Sequence, residues 1–237
     1  MQIHQPDVVG IAEPMVRTRC LTGNLLNSLG MNIWLLWRNN FSSPKLIMID
    51  RQHITMEIEG LLISIVHARS LHVQRRDLWK QLTDLNNTGM PRLIAGDFNA
   101  HLYVNERKGG RVPLAAAIQD FTDFVDENLL VEAHSTGLEY TWCNRQQGDR
   151  KIISKIDRCL INQELLQKYM GWSYKVLSRH ASDHSPLIDW TTSIPKPNNA
   201  LFRLIKAWSS HESFLELVDM SWKEEITGNP LVRFSLN

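Results

Sequence analysis

Short runs of apolar residues along the chain predict β-strands. The runs are rich in β-branched and aromatic side chains and are bounded by Gly, Pro, Asn, Asp or charged residues, as strands usually are. They cover residues 7–12, 33–37, 46–49, 54–58, 61–66, 92–95, 152–161 and 187–190.

Two stretches between these runs have helical periodicity instead. Residues 73–85 and 113–128 place apolar side chains three or four positions apart, and Pro113 suits the first turn of a helix. Because strands occur in consecutive groups as well as beside helices, we expect sheets packed on each other with helices outside, rather than a strictly alternating Rossmann order. The apolar faces consist of Leu78, Leu82 and Leu85 in the first stretch and Ala117, Phe121, Phe124 and Val125 in the second.

The periodic pattern breaks near residues 194–199, where two prolines and two asparagines predict a linker. Apolar residues spaced through residues 202–222 predict one or two further helices. We therefore expect a main domain over residues 1–193 and a linker with a helical tail over residues 194–237, which leads towards a further module.

Composition is that of a globular protein. The 237 residues are 43% hydrophobic and 22% charged, and 26 Lys and Arg against 25 Asp and Glu give a net charge of +1. This balance excludes a uniformly basic nucleic-acid coat but leaves room for a local basic patch. No apolar run approaches the roughly 18 residues of a membrane-spanning helix, and no signal peptide is visible. Three widely spaced cysteines, Cys20, Cys143 and Cys159, argue against a disulfide framework and favour a reducing intracellular compartment.

Five polar side chains stand at the ends of predicted strands or in turns beside them, and a sixth, Asp157, lies inside the predicted strand 152–161. Gly96 precedes two of them and allows a sharp turn or a close approach of backbone there. The six residues are Glu13, Asp97, Asn99, Asp157, Asp183 and His184.

Taken singly, these residues have ordinary structural explanations. The sequence Gly-Asp-Phe-Asn could form a turn, and Glu13 could end a loop. Asp157 could pair with Arg158 or Lys155. His184 and the histidine four positions before it would suggest zinc on a helix, but Pro186 and the strand after it argue against a helix there.

Taken together, the residues predict a metal-dependent site. Several carboxylates that converge at strand ends would repel each other unless a cation neutralised them. Oxygen ligands with few thiols nearby favour Mg²⁺ or Mn²⁺ over zinc. An adjacent Asp–His pair supplies acid–base capacity near neutral pH. Metal, acid–base pair and amide donor are the groups needed to hydrolyse a phosphodiester.

The motifs resemble those of the endonuclease/exonuclease/phosphatase superfamily. The closer resemblance is to the endonuclease domain of plant LINE-type (non-LTR) retrotransposons, and it covers nearly the whole chain. The superfamily motifs are Glu13, Gly96-Asp97-Phe98-Asn99, Ile156-Asp157-Arg158 and Ser182-Asp183-His184. The segments that resemble the retrotransposon domain are residues 33–37, 75–79, 106–110, 140–144, 154–158 and 202–222.

The resemblance implies a four-layer α/β/β/α sandwich, the DNase I-like fold, with the site at one rim of the paired sheets. It also implies Mg²⁺ (or Mn²⁺) as cofactor. Glu13 resembles the principal metal ligand, Asp183 the acid near the metal, and Asp97 an acid that contacts the metal and activates water or protonates the leaving oxygen.

The remaining site residues are also assigned by resemblance. Asn99 resembles the amide that holds the phosphate. Asp157 resembles the partner that orients His184, which contacts the scissile phosphate or acts as base. His67 stands where the family often has Tyr, and an imidazole can also donate a hydrogen bond to phosphate.

The resemblance further implies that the first strand is missing. The family begins with a strand that carries an Asn beside the metal, whereas only a short segment precedes Glu13 in this chain. We therefore expect an N-terminally truncated domain with weak activity or none.

The function implied is that of a divalent-metal-dependent endonuclease that nicks DNA for a reverse transcriptase normally encoded in the same polypeptide, in the nucleus if the chain is expressed. Two alternatives stay open: a non-catalytic nucleic-acid-binding relic, and a phosphatase of the same superfamily that acts on small phosphoesters. The basic residues expected to contact the DNA phosphate backbone are Arg17, Arg19, Arg145, Arg150, Lys151 and Arg179.

Overall fold

Most of the apolar runs form strands in the computed structural model, which describes residues 6–14, 24–30, 32–38, 44–169, 171–191 and 219. The strands are β1 (Val8–Ala12), β2 (Asn24–Asn27), β3 (Ile33–Trp37), β4 (Lys45–Ile49), β5 (His53–Ile58), β6 (Leu61–His67), β7 (Arg92–Asp97), β8 (Arg107–Lys108), β9 (Val131–Glu132), β10 (His134–Gly137), β11 (Trp142–Cys143), β12 (Ile153–Ser154), β13 (Asp157–Ile161), β14 (Trp172–Val176) and β15 (Leu187–Thr191).

Two of the predicted helices are also present, α1 (His72–Asp84) and α2 (Ala115–Glu127). A shorter helix that was not predicted, α3 (Gln163–Tyr169), follows β13. Single 3-10 turns occupy Leu85–Thr88, Val104–Glu106 and Gly148–Arg150. No helix within the described ranges is long and apolar enough to cross a membrane.

A six-stranded sheet with the order β4-β5-β6-β7-β13-β9 forms the centre of the sandwich. Neighbouring strands within this sheet run antiparallel, except for β6 and β7, which run parallel. Parallel neighbours require a crossover connection, and α1 lies in that connection. The carboxyl ends of β6 and β7 therefore meet at the same rim of the sheet.

Helices α1 and α2 cover one face of this sheet. The side chains predicted for the apolar faces enter the core: Leu78 and Leu82 are fully buried, as is Phe121. The Trp79 ring stacks on Phe124 with the ring centroids 4.8 Å apart. Ala117, which was expected on the same face, is only half-buried.

A second layer of strands covers the other face. It consists of two three-stranded sheets, with the orders β1-β3-β2 and β10-β14-β15. β1 packs over β6 and β7, β3 over β5 and β6, and β15 over β13. The apolar core between the layers includes Leu35, Met56, Ile161 and Tyr174. A small third sheet, β11-β12-β8, lies near one rim of the central sheet and leads into its strand β13.

One predicted strand is interrupted. Residues 152–161 form two strands, β12 and β13, separated by Lys155 and Ile156. The backbone of these two residues is bonded elsewhere, because Lys155 N–H donates to Glu106 and the Ile156 carbonyl accepts from Phe98. Asp157 consequently begins a strand instead of lying inside one.

The chain divides into two units, Met1–Ile194 and Pro195–Asn237. In the second unit only Asp219 is described, and it is helical. The linker and helical tail expected over residues 194–237 therefore lie almost entirely outside the described residues.

Candidate active site

Three adjacent strands of the central sheet end in polar residues at one rim. His67 is the last residue of β6, Asp97 the last of β7 and Asp157 the first of β13. In the register of the sheet, Asp97 lies opposite His67 on one side and opposite Asp157 on the other. Residues opposite each other in neighbouring strands point to the same face, so the three side chains form a row.

Glycine is required just before this row. Gly96 has a φ of +133°, and a Cβ atom there would lie 2.1 Å from the carbonyl oxygen of Val66. Only a residue without a side chain allows β7 to run beside β6 at this point. The Gly-Asp-Phe-Asn sequence is thus a strand end with a close backbone approach.

Asn99 holds the Asp97 carboxylate in place. Its backbone N–H donates to Asp97 Oδ1 at 2.8 Å, and its side-chain Nδ2 donates to Asp97 Oδ2 and to the Ala68 carbonyl, both at 2.9 Å. Asn99 adopts a left-handed φ of +47°, which Asn tolerates better than most residues. Its amide, expected to hold a phosphate, positions Asp97 in this structure.

His184 pairs with Asp157. Its Nδ1 lies 3.0 and 3.1 Å from the two carboxylate oxygens of Asp157. The competing partners suggested by the sequence are engaged elsewhere: Arg158 Nη1 donates to Glu132 at 2.8 Å, and Lys155 Nζ lies 2.8 Å from the same carboxylate. The sequence alternatives for Asp157 are therefore resolved in favour of the histidine.

The segment around Thr141 contacts the backbone of both Asp157 and His184 and so brings the two residues together. Thr141 Oγ1 accepts the backbone N–H groups of Ile156 and Asp157, at 3.1 and 3.0 Å. The next residue, Trp142, forms an isolated β-bridge with His184. Residues 180–184 form bends and this single bridge, so His180 and His184 do not share the helix that a zinc pair would need.

Asp97, Asp157 and His184 form a compact group of donors. One donor atom from each lies within 4.8 Å of the others, and the two carboxylates are buried. The carboxylate oxygens of Asp97 and Asp157 are the donors in this group that suit a hard divalent ion such as Mg²⁺ or Mn²⁺.

Burial and the neighbouring charges shift the pKa values of Asp97 and His184. Burial raises the pKa of Asp97 well above its ordinary value, and the neighbouring Asp157 carboxylate raises it further. Burial lowers the pKa of His184, but the hydrogen bond and charge of Asp157, with the charges of Asp97 and Asp183, outweigh that effect and raise the pKa to about 9. A bound cation would relieve the repulsion between the two carboxylates.

Glu13 lies at the edge of the group. It follows β1 in a left-handed φ of +48°, and 71% of its side-chain surface is exposed. Its Oε1 is 3.6 Å from His67 Nε2, which in turn lies 4.0 Å from Asp97 Oδ2. Burial lowers the pKa of His67, while the Glu13 charge partly offsets that effect, so the ring is neutral near pH 7.

Asp183 points to a different partner. Its Oδ2 accepts from Trp142 Nε1 at 3.0 Å. Burial would raise the pKa of Asp183, but this hydrogen bond contributes to lowering it overall. Of the three ligands expected for the metal, Asp97 belongs to the compact group, whereas Glu13 and Asp183 lie outside it.

Four residues of the site were not predicted as functional: Ser28, Asn32, Thr141 and Trp142. The Tyr-Thr-Trp-Cys-Asn sequence that includes two of them was noted only as part of the resemblance. Asn32 Nδ2 contacts His67 Nδ1 at 3.2 Å, and Ser28 contacts Asn32. No periodicity or motif marks either residue.

Two of the expected DNA contacts are arginines that buttress the loops around His184. Arg145 donates to the carbonyl of Ala181, and Arg179 donates to the carbonyl of Tyr140 at 2.7 Å. Arg150 and Lys151 are exposed on the neighbouring turn. Arg17 and Arg19 lie outside the described residues.

Solved structures with a similar fold are nucleases and phosphatases of the DNase I-like class. A 3′ phosphatase from Neisseria, NExo, bound to a product DNA hairpin, has a TM-score of 0.63 at 14% identity, over 80% of this chain and 90% of that chain. The endonuclease domain of TRAS1, a telomere-specific non-LTR retrotransposon, has a TM-score of 0.61 at 13% identity, over 82% and 90%. An AP endonuclease from Archaeoglobus fulgidus has a TM-score of 0.61 at 12% identity, over 81% and 91%.

No protein-family model matches the chain, and no curated protein shows significant sequence similarity to it. The structural similarities confirm the DNase I-like α/β sandwich predicted from the motifs. At these identities they concern the fold alone.

Proposed function

We propose that this chain is a divalent-metal-dependent phosphodiesterase that nicks DNA. One observation carries the proposal: two buried carboxylates, Asp97 and Asp157, converge with the His184 imidazole at one rim of a DNase I-like sandwich. Buried carboxylates in contact are costly to a fold unless they serve a cation or a reaction.

The His184–Asp157 pair supplies the acid–base group. Asp157 occupies Nδ1, which leaves Nε2 as the ring atom available to a phosphate oxygen or a water. The raised pKa of about 9 keeps the ring protonated at neutral pH, so Nε2 would donate a hydrogen bond to a phosphate that enters the site.

Mg²⁺ or Mn²⁺, when bound, would neutralise the carboxylates and polarise the phosphate. We assign Asp97 and Glu13 as its carboxylate ligands, with Asp183 close by. Asn99 keeps the Asp97 carboxylate oriented towards the rim through two hydrogen bonds. His67 and His184 then face a phosphate from either side of Asp97.

DNA is the substrate we favour. The exposed cations Arg150 and Lys151 lie between β11 and β12, and Trp142 of β11 forms the β-bridge with His184. Arg145 and Arg179 brace the loops around His184. Such cations contact backbone phosphates without regard to sequence. Two of the similar solved structures are named as endonucleases, and a third, a 3′ phosphatase, is bound to DNA.

The role in a plant LINE-type retroelement is the finer part of the proposal. It rests on the sequence motifs and is supported by the similar fold of the TRAS1 endonuclease domain. In that role the nick, made in the nucleus, would prime a reverse transcriptase of the same polypeptide. Residues 1–193 would be the nuclease domain and residues 194–237 the lead-in to that module.

The function is tested by nicking of supercoiled plasmid with Mg²⁺, with Mn²⁺ and with EDTA. We expect metal-dependent conversion to open circles and a loss of at least about 10²-fold in His184→Ala, the scale of a lost acid–base group. His134→Ala, which changes an exposed histidine of β10, is the matched control. Nicking in EDTA, or an equal rate in both variants, would reject the proposal.

A phosphatase acting on DNA ends is the second candidate, favoured by the similarity to NExo. A hairpin with a 3′ phosphate distinguishes the two functions. Release of inorganic phosphate without nicking would assign the site to this second reaction.

A further inference from the structure

A short chain of hydrogen bonds links Ser28 to His67 through Asn32. Ser28 Oγ donates to Asn32 Oδ1 at 2.7 Å, and Asn32 Nδ2 lies 3.2 Å from His67 Nδ1. The Asn32 backbone is fixed as well, because its carbonyl accepts from Glu13 N–H at 2.8 Å. Asn32 is therefore attached to the Glu13 turn through its backbone and to the end of β6 through its side-chain amide.

The orientation of the Asn32 amide follows from Ser28. Ser28 Oγ already accepts the backbone N–H of Ile33 at 3.0 Å, so its own proton needs an acceptor. Ser28 is 4% exposed, and within the described chain Asn32 Oδ1 is the acceptor that the structure provides. Turning the amide over would leave a buried hydroxyl proton without an acceptor, which is unfavourable.

With its oxygen facing Ser28, Asn32 presents its NH₂ group to His67. An amide nitrogen can only donate, so His67 Nδ1 must accept, and the proton of the neutral ring must be on Nε2. That nitrogen faces the site, at 3.6 Å from Glu13 Oε1 and 4.0 Å from Asp97 Oδ2.

We infer that Ser28 and Asn32 are positioning residues that fix His67 as the Nε2–H tautomer, so that His67 donates a hydrogen bond to a non-bridging phosphate oxygen and is neither a metal ligand nor the general base. This inference deepens the proposed function and, for the role of the donated hydrogen bond, rests on it. A nitrogen that carries a proton has no lone pair for a metal or for an incoming proton.

The first test reads the tautomer directly. Long-range ¹H–¹⁵N correlation of the ¹⁵N-histidine-labelled, metal-free 237-residue protein distinguishes a protonated from an unprotonated ring nitrogen, and His67→Gln identifies the His67 signals. We expect an unprotonated Nδ1 and a protonated Nε2 in the wild type at pH 7.5. A protonated Nδ1 would overturn the inference.

Variants of Asn32 and Ser28 test the cause. Asn32→Asp replaces a donor by an acceptor, so the proton should move to Nδ1 or the ring should become doubly protonated. Ser28→Ala should give a mixture of tautomers, and Ser28→Thr, which keeps the hydroxyl, should restore the Nε2–H form. Asn105→Asp, on an exposed 3-10 turn, is the matched control and should change nothing. An unchanged His67 tautomer in Asn32→Asp would also overturn the inference.

Kinetics test the role in the reaction. Asn32→Asp should lower kcat of plasmid nicking by about 10²-fold with little change in KM, the scale of one lost donor to a transition-state oxyanion. A wild-type protein that does not nick would count against the proposed function, while the tautomer would still be decided by NMR. Normal nicking by a folded Asn32→Asp variant with a displaced proton would reject the catalytic role of His67.

Discussion

Asp157 and His184 are 27 positions apart in the chain, yet His184 Nδ1 lies 3.0 and 3.1 Å from the two oxygens of the Asp157 carboxylate. The pair was expected from the sequence, and the hydrogen bond is present. It joins the first residue of β13 to the loop that carries His184, in addition to the β-bridge between His184 and Trp142. The pair therefore has a structural consequence as well as a chemical one.

The pair predicts a pH dependence. The His184 pKa of about 9 exceeds the unfolded value of 6.5, so the contribution to the free energy of unfolding is complete below pH 6.5 and is lost as pH rises to about 9. We expect a loss of order 1–2 kcal/mol, because the side chain is partly exposed. Urea unfolding of the metal-free protein between pH 6 and pH 10 measures it.

Asp157→Asn is the variant for this prediction. The NMR titration midpoint of His184 should fall by at least about 1 unit, because the charge that stabilises the imidazolium is removed while burial remains. Asp97 changes the stability in the same direction: because its pKa is raised in the folded state, it also favours folding at lower pH. Measuring the pH dependence of unfolding in an Asp97→Asn background, with and without Asp157→Asn, separates the contribution of His184 from that of Asp97. An unchanged His184 midpoint would contradict the pairing.

Gly96→Ala should disrupt the rim of the central sheet. The new Cβ would meet the Val66 carbonyl oxygen at 2.1 Å, in a backbone conformation that disfavours any side chain. We expect a loss of roughly 3–5 kcal/mol in the free energy of unfolding. Gly89→Ala is the control: Gly89 is also left-handed, with nothing within 4 Å of the new Cβ, and should cost about 1–2 kcal/mol. Equal losses in the two variants would show that the backbone conformation alone, without the contact to Val66, explains the need for glycine at position 96.

Most elements that the sequence predicted have side chains facing a core, although β14, which also buries side chains, was not predicted. The strand Ile33–Trp37 has the predicted bounds, and α1 differs from its prediction by one residue at each end. β10 was not predicted, because all four residues of His134–Gly137 are exposed and it pairs with β14 through backbone alone. A strand without a buried face leaves no alternation in the sequence.

The site was predictable as a set of residues but not as a geometry. Strand-end carboxylates and the histidine carry a chemical signal, and the resemblance supplied their roles. The contact between Asp183 and Trp142, and the one between Asn32 and His67, depend on how loops cross the rim. Such contacts follow no period along the chain, so only the structure reveals them.

Metal binding should stabilise the fold through Asp97. A divalent metal ion that binds only the folded site would relieve carboxylate repulsion and raise Tm; at 100 times Kd the gain is about 2.7 kcal/mol. We expect Asp97→Asn to abolish the metal-induced Tm shift and Glu13→Gln to weaken the apparent affinity at least about tenfold. Asp149→Asn, in the exposed turn Gly148–Arg150, is the control. Identical shifts in wild type and Asp97→Asn would exclude the metal from this group.

The buried ion pairs beside Asp157 give the last prediction. Arg158 is fully buried; its guanidinium donates to both Glu132 and Glu106, so it fixes β13 to the turn before β8. Arg158→Met would leave the Glu106 carboxylate without its cation and Glu132 with Lys155 alone. It should cost about 3–5 kcal/mol, measured by urea unfolding. Arg158→Lys keeps the charge but loses the two-pronged geometry, so an intermediate loss is expected.

The control is Arg76→Met, which removes an exposed ion pair with Asp120 and should change stability little. Because Arg158 directly follows Asp157, the same variants should also displace that carboxylate from His184. In proteins that remain folded, the NMR titration midpoint of His184 should then fall in the order wild type, Arg158→Lys, Arg158→Met. A normal midpoint in a destabilised but folded Arg158→Met would show that this network supports the fold and leaves the Asp157–His184 pair unaffected.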